Sequence, residues 1–172
     1  MSASRTFTAK CRCGRVELEA SGSPLAHISC YCDDCQAAAR LVDALAGGVS
    51  GCGSDGGTPN VLFRRDRVRF VAGEDLLVGY KVRERTPTTR LVASCCNTAI
   101  TQAHDNAWPH RGIKAHLFVT PIPPLEMRVF TRYAPDPAAI PRDVPRARGV
   151  GPRLALRLLR ADLALRLGRR TR

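Results

Sequence analysis

Cys11-Arg12-Cys13-Gly14-Arg15-Val16-Glu17-Leu18-Glu19 joins a cysteine pair to a strand-like segment. It opens on two cysteines spaced by one residue and closes on strict apolar-polar alternation. That alternation predicts a turn feeding a strand, with Val16 and Leu18 on one face and the cysteine pair at the strand end. Residues two apart on extended backbone share a face, so Cys11 and Cys13 are expected to point the same way and to supply half of a four-ligand metal site.

Working outward, residues 21–24 carry turn chemistry, residues 27–31 read as a second strand, and the Ala-rich segment 33–45 reads as a short helix opened by Asp33 and Asp34. Six glycines between Gly47 and Pro59 predict a mobile loop, with Cys52 in it as a free surface thiol. Alternating segments at 60–63, 67–71, 76–82, 89–94 and 113–119 follow, separated by charged or glycine-bearing turns in the rhythm of an antiparallel sheet. The expected class is therefore mainly β, built of small antiparallel sheets.

Residues 1–132 are expected to form one metal-binding domain. Prolines at 121, 123, 124, 135, 137, 141, 145 and 152 then disfavour regular structure over a long connector. Residues 133–172 read as that Pro/Arg-rich connector followed by an amphipathic basic helix. Its leucines recur at 156, 159, 163 and 167 with 154, 158 and 165 alongside, and Arg153, Arg157 and Arg160 mark another face.

The formal charge is +12, and residues 128–172 hold twelve arginines against Asp136, Asp143 and Asp162, so +9 of it lies in the tail. Such an appendage could touch an acidic partner and says little about the chemistry of the domain. No run approaches the roughly 20 apolar residues that span a bilayer, and the first ten residues lack an apolar secretory stretch. A soluble, cytoplasmic protein is expected. In a reducing compartment clustered cysteines hold metal or do chemistry more often than they form disulfides, and seven of the eight here fall into three tight groups.

Cys30-Tyr31-Cys32-Asp33-Asp34-Cys35 offers three thiolates in one turn, a strong zinc signal. Cys95 and Cys96 are the candidates to join Cys11 and Cys13. Adjacent side chains on a strand face opposite ways, so both can reach one ion only if the backbone turns, for which Asn97 is suited.

These residues together resemble the glutathione-dependent formaldehyde-activating enzymes and their centromere protein V relatives, from about Thr6 to about Phe118. The resemblance rests on Cys11-x-Cys13-Gly14, Cys30-x-Cys32-x-x-Cys35 and the late cysteine pair before Asn97-Thr98. It implies a compact all-β, tent-like fold with two zinc ions. Cys11, Cys13, Cys95 and Cys96 would hold a structural zinc. Cys30, Cys32 and Cys35 would hold the zinc associated with catalysis and count as the catalytic residues. The late motif departs from the family pattern: Ala93 stands where the family has its first cysteine and Asn97 where it has glycine, so Cys95 is expected to replace the missing ligand.

The implied activity is that of a carbon-sulfur lyase acting on a small-molecule thiol such as glutathione, adding it to formaldehyde to give S-hydroxymethylglutathione. Three protein ligands leave a position open, whereas four close the shell. The rival is a non-catalytic, zinc-stabilised binding module whose tail docks on an acidic partner. Nucleic acid is the weaker such partner, because no aromatic side chain lies in the tail helix to stack on bases. Oligomerisation is left open. His27, His104, His110 and His116 are read as ordinary scattered residues, Trp108 as a core cap, and Arg64, Arg65, Arg67 and Arg69 as a solvated face.

Overall fold

The structure is a computed structural model that describes residues 5–105 and 108–170, with the side chains of 169 and 170 left aside. Thr6–Lys10 (β1) and Glu17–Ser21 (β2) form a hairpin, and Val68–Ala72 (β5) pairs with β2 to complete a three-stranded antiparallel sheet. Alternation sets its inner face, since Phe7, Ala9, Leu18 and Ala20 are buried while the residues between them are not.

The second sheet has seven strands. Met127–Val129 (β10), Ala26–Cys30 (β3), Thr58–Arg64 (β4), His110–Lys114 (β9), Thr98–His104 (β8), Thr88–Ala93 (β7) and Leu77–Tyr80 (β6) lie in that order. All pairs are antiparallel except β10 with β3, which is parallel. β3 is buried at every residue, the mark of a strand covered on both faces.

Each face of this sheet carries its own core and its own cysteines. Val61 and Phe63 of β4 pack with Phe7, Leu18, Ile100 and Cys11 under the small sheet. The ring centroids of Phe7 and Phe63 lie 5.3 Å apart, and Phe118 stands edge-on to Phe7. Leu62, between them in sequence, points the other way and packs with Ile28, Cys30, Cys35, Val129 and Leu154.

The two helices serve the second face. Asp33–Asp43 (α1) begins at Cys32, and its first-turn aspartates suit the positive end of the helix dipole. Pro152–Arg170 (α2) lays Leu154 and Ala161 into the core, with Leu158 half-buried beside them. The expected leucine stripe is turned outward: Leu156, Leu159, Leu163 and Leu167 are all exposed. Arg157, on the arginine-bearing face, donates to the Leu25 carbonyl at 2.9 Å and pairs with Glu126 at 2.7 Å. The proline-rich connector is anchored too, through Ile140, which is buried against Tyr31, and through Arg128, which donates to the Tyr31 hydroxyl and to Asp143.

The glycine loop is tethered by Val49, which bridges to Thr98, and by Asp55, which accepts the Tyr31 hydroxyl proton at 2.6 Å. A side chain at Gly57 would meet the Tyr31 ring at 2.7 Å, so the close approach of loop and ring requires glycine there.

Candidate metal centres and the cavity beside them

The first cysteine group is assembled by two turns far apart in sequence. Cys11 and Cys13 lie on the β1–β2 turn and not on a strand, so they converge because the backbone bends. Their sulfurs are 3.6 Å apart. Cys95 and Cys96 lie on the β7–β8 turn, where Asn97 adopts a left-handed φ of 50°. This bend swings both thiols the same way. Cys95 Sγ is 3.3 Å from Cys13, 3.9 Å from Cys11 and 3.9 Å from Cys96.

Four sulfurs around one tetrahedral zinc, with Zn–S near 2.3 Å, would stand about 3.8 Å apart. The observed separations fit, with no sulfur needed at position 93, and Ala93 is fully buried in the core. The backbone amide and guanidinium of Arg15 pull the Cys13 thiol down to about 6, so thiolate is accessible near neutrality.

The second group is Cys30 at the end of β3, Cys32 at the start of α1 and Cys35 in its first turn, with their sulfurs mutually within 4.8 Å. Cys35 and Gln36 donate their amides to the Cys32 carbonyl, and the Gln36 side chain clamps the carbonyls of Tyr31 and Tyr133 at 2.6 and 2.7 Å. Hydrogen bonds from Cys30 and Cys32 hold the Cys35 thiol well below its ordinary value, and the charges of Lys114 and Arg90 add to this. Lys114 is itself buried and its pKa lowered by that burial. Both groups could hold a metal ion.

The two groups differ in what adjoins them. The three sulfurs of the second line a cavity of about 470 Å³, within the usual range for small-ligand sites. Arg83, Arg85 and Arg90 line one part of it, with Arg83 tied to Asp34. His104, Trp108 and His110 line another, with the Trp108 and His104 rings stacked at 5.2 Å. Several buried polar atoms in this lining have no partner among the described residues: Asn60 Oδ1, Arg90 Nε, His104 Nε2 and His110 Nδ1. Unpaired buried polar atoms are costly, and their concentration here suits a polar ligand.

Sequence reading placed the cysteines and missed this lining. Its residues come from β4, β7, β8, β9, α2 and the loops between strands, and no local spacing announces them. Cys52 is half-buried outside both groups, with its sulfur 3.6 Å from the Gly53 carbonyl. His27 Nδ1 donates to the Pro123 carbonyl at 2.8 Å, and His116 packs over Gly51. Arg64 and Arg69 pair with Asp66 and Glu19.

A larger, more open cleft of about 630 Å³ lies between the β2–β3 turn and α2, lined by Arg64, Arg67, Arg157 and Arg160. It holds no cysteine, histidine or other group of use in thiol chemistry, so the smaller cavity is the candidate site.

Burial holds the His110 pKa down at about 4, with His104 nearby adding repulsion. An unfolded histidine takes up a proton near 6.5. Protonation therefore favours the unfolded chain as pH falls from 6.5 towards 4, and the contribution is complete above 6.5. Going from pH 7 to pH 4, the native protein should lose up to about 3 kcal/mol more stability than His110→Gln. Denaturant unfolding of both proteins at the two pH values measures the difference, and equal losses would show that folding leaves the His110 pKa at its ordinary value.

No curated protein matches the chain. A Rhodobacter sphaeroides protein of solved structure superposes with a TM-score of 0.47 at 18% identity, over 67% of this chain and 91% of that one. Residues 6–47 match the family of the glutathione-dependent formaldehyde-activating enzyme. That segment supplies five of the seven clustered cysteines. The similarity to the glutathione-dependent formaldehyde-activating enzyme family thus extends over residues 6–47.

Proposed function

We propose that Cys11, Cys13, Cys95 and Cys96 hold a structural zinc, and that Cys30, Cys32 and Cys35 hold a second zinc at which a glutathione-like thiol adds to formaldehyde. The observation that carries this reading is the position of the three-sulfur group in the wall of a cavity lined by arginines. An all-cysteine donor set is the one zinc prefers, and three ligands leave room for a fourth. Zinc bound there would supply a Lewis-acidic centre that favours the thiolate form of a thiol substrate.

The chain's own residues do the rest. Arg85 and Arg90 have no ion-pair partner among the described residues and would bind the substrate's carboxylates, fixing its thiol towards the cysteines. His104 is held at Nδ1 by the Thr88 hydroxyl, 3.1 Å away, and burial lowers its pKa. A neutral imidazole at the cavity is the chain's best group for taking up the thiol proton. The apolar side chains of Ile28, Leu62 and Val129 limit water around the reacting atoms.

Trp108 is the single tryptophan of the chain and lines this cavity, so its emission reports occupancy. Titration of the zinc-loaded protein with glutathione is expected to change that emission saturably below millimolar thiol. No change at millimolar thiol would refute the reading. It would move the non-catalytic module ahead, with the arginine-lined cleft beside α2 as the docking surface for an acidic partner.

A further inference from the structure

The cavity beside the second cysteine group has three chemically distinct surfaces. Arginines stand on one part and sulfurs on another, and a wall is formed by Phe130, Val150, Leu154 and Leu158. The last three come from α2 and the residue stretch leading into it, outside the segment that matches the family. Formaldehyde carries no alkyl group beyond its carbonyl carbon, so it would leave this wall facing water. A ligand with carboxylates at one end, sulfur in the middle and an alkyl group at the other end would match all three surfaces.

We propose that the carbonyl partner in this chain is an aldehyde bearing an apolar group of several carbons, with α2 supplying the wall that receives it. The inference rests on the thiol reading above. The thiol sulfur adds to the carbonyl carbon, one C–S bond forms, the C=O double bond becomes single, and the thiol proton ends on the oxygen. Nothing is oxidised or reduced, and the product is a hemithioacetal. Leu158, half-buried on α2, and Val150, just before the helix, are thus specificity-determining positions.

Stable thioether mimics of such adducts test this by binding alone. The zinc-loaded protein is titrated with glutathione, S-methylglutathione and S-hexylglutathione, read by calorimetry and Trp108 emission. The hexyl compound adds five methylenes, each worth about fourfold when fully buried. It should bind at least tenfold tighter than the methyl compound, and Leu158→Asn should erase that gain. Val150→Asn is the second variant should the first fail to fold, as judged by thermal melting and metal content. Equal affinities for hexyl and methyl compounds, with glutathione still binding, would overturn the proposal and leave the thiol reading standing. A hexyl gain that survives in the folded variants would overturn it equally. Absence of binding by all three compounds would remove both readings.

Discussion

Cys95→Ser is expected to release the metal of the first cysteine group and to destabilise the protein by more than about 4 kcal/mol, enough to lower its yield or unfold it. The size follows from what the site joins. Its sulfurs come from two turns separated by more than 80 residues, and the contact Cys11–Cys95 spans 84 of them. Metal bound to a preorganised site is folding free energy, because the unfolded chain has no such site. Serine offers a hydroxyl where zinc wants a thiolate, and Ala93 has no donor to take over. Circular-dichroism melting of both proteins, with and without a chelator, measures the effect. A melting curve unchanged in the variant, with full metal content, would show that Cys95 is not a ligand.

Cys32→Ser should separate function from fold. Cys32 occupies the N-cap of α1 with φ −65° and ψ 153°, and serine is among the residues best suited to that position. The helix start is therefore preserved while the three-sulfur group loses a member. Altering even the outer partners of metal ligands costs 10- to 100-fold in affinity, so loss of a direct ligand should weaken metal binding there by more than about a hundredfold. Glutathione binding should go with it, while thermal stability stays close to that of the native protein. Retained thiol binding in a variant depleted of that metal would place the thiol site elsewhere.

The sequence carried the cysteine groups because metal ligation imposes short spacings that survive without context, as in Cys30-x-Cys32-x-x-Cys35. The mainly β class was legible for a similar reason, since alternation at Val16, Leu18 and Ala20 is a local consequence of one-sided burial. Asn97 correctly marked the bend that lets adjacent cysteines face one point. Cys11 and Cys13 point to one side as expected, but from a turn and not a strand, because both can bring residues two apart to one side. Strand β8 was not anticipated, as its residues Ala99, Ile100 and Thr101 are all buried and show no alternation. The cavity lining was illegible because Arg90, His104, His110 and Leu158 meet only through sheet pairing and helix docking. The outward leucines of α2 misled for a related reason: periodicity finds an apolar stripe but does not say which stripe is covered.

Elemental analysis of zinc per chain, on the native protein and on Cys32→Ser, tests the division into two separate cysteine sites most directly. Two zinc ions falling to one in a folded variant is the expected result. One zinc in the native protein that persists in Cys32→Ser would contradict it, leaving the cavity without a metal-bearing group.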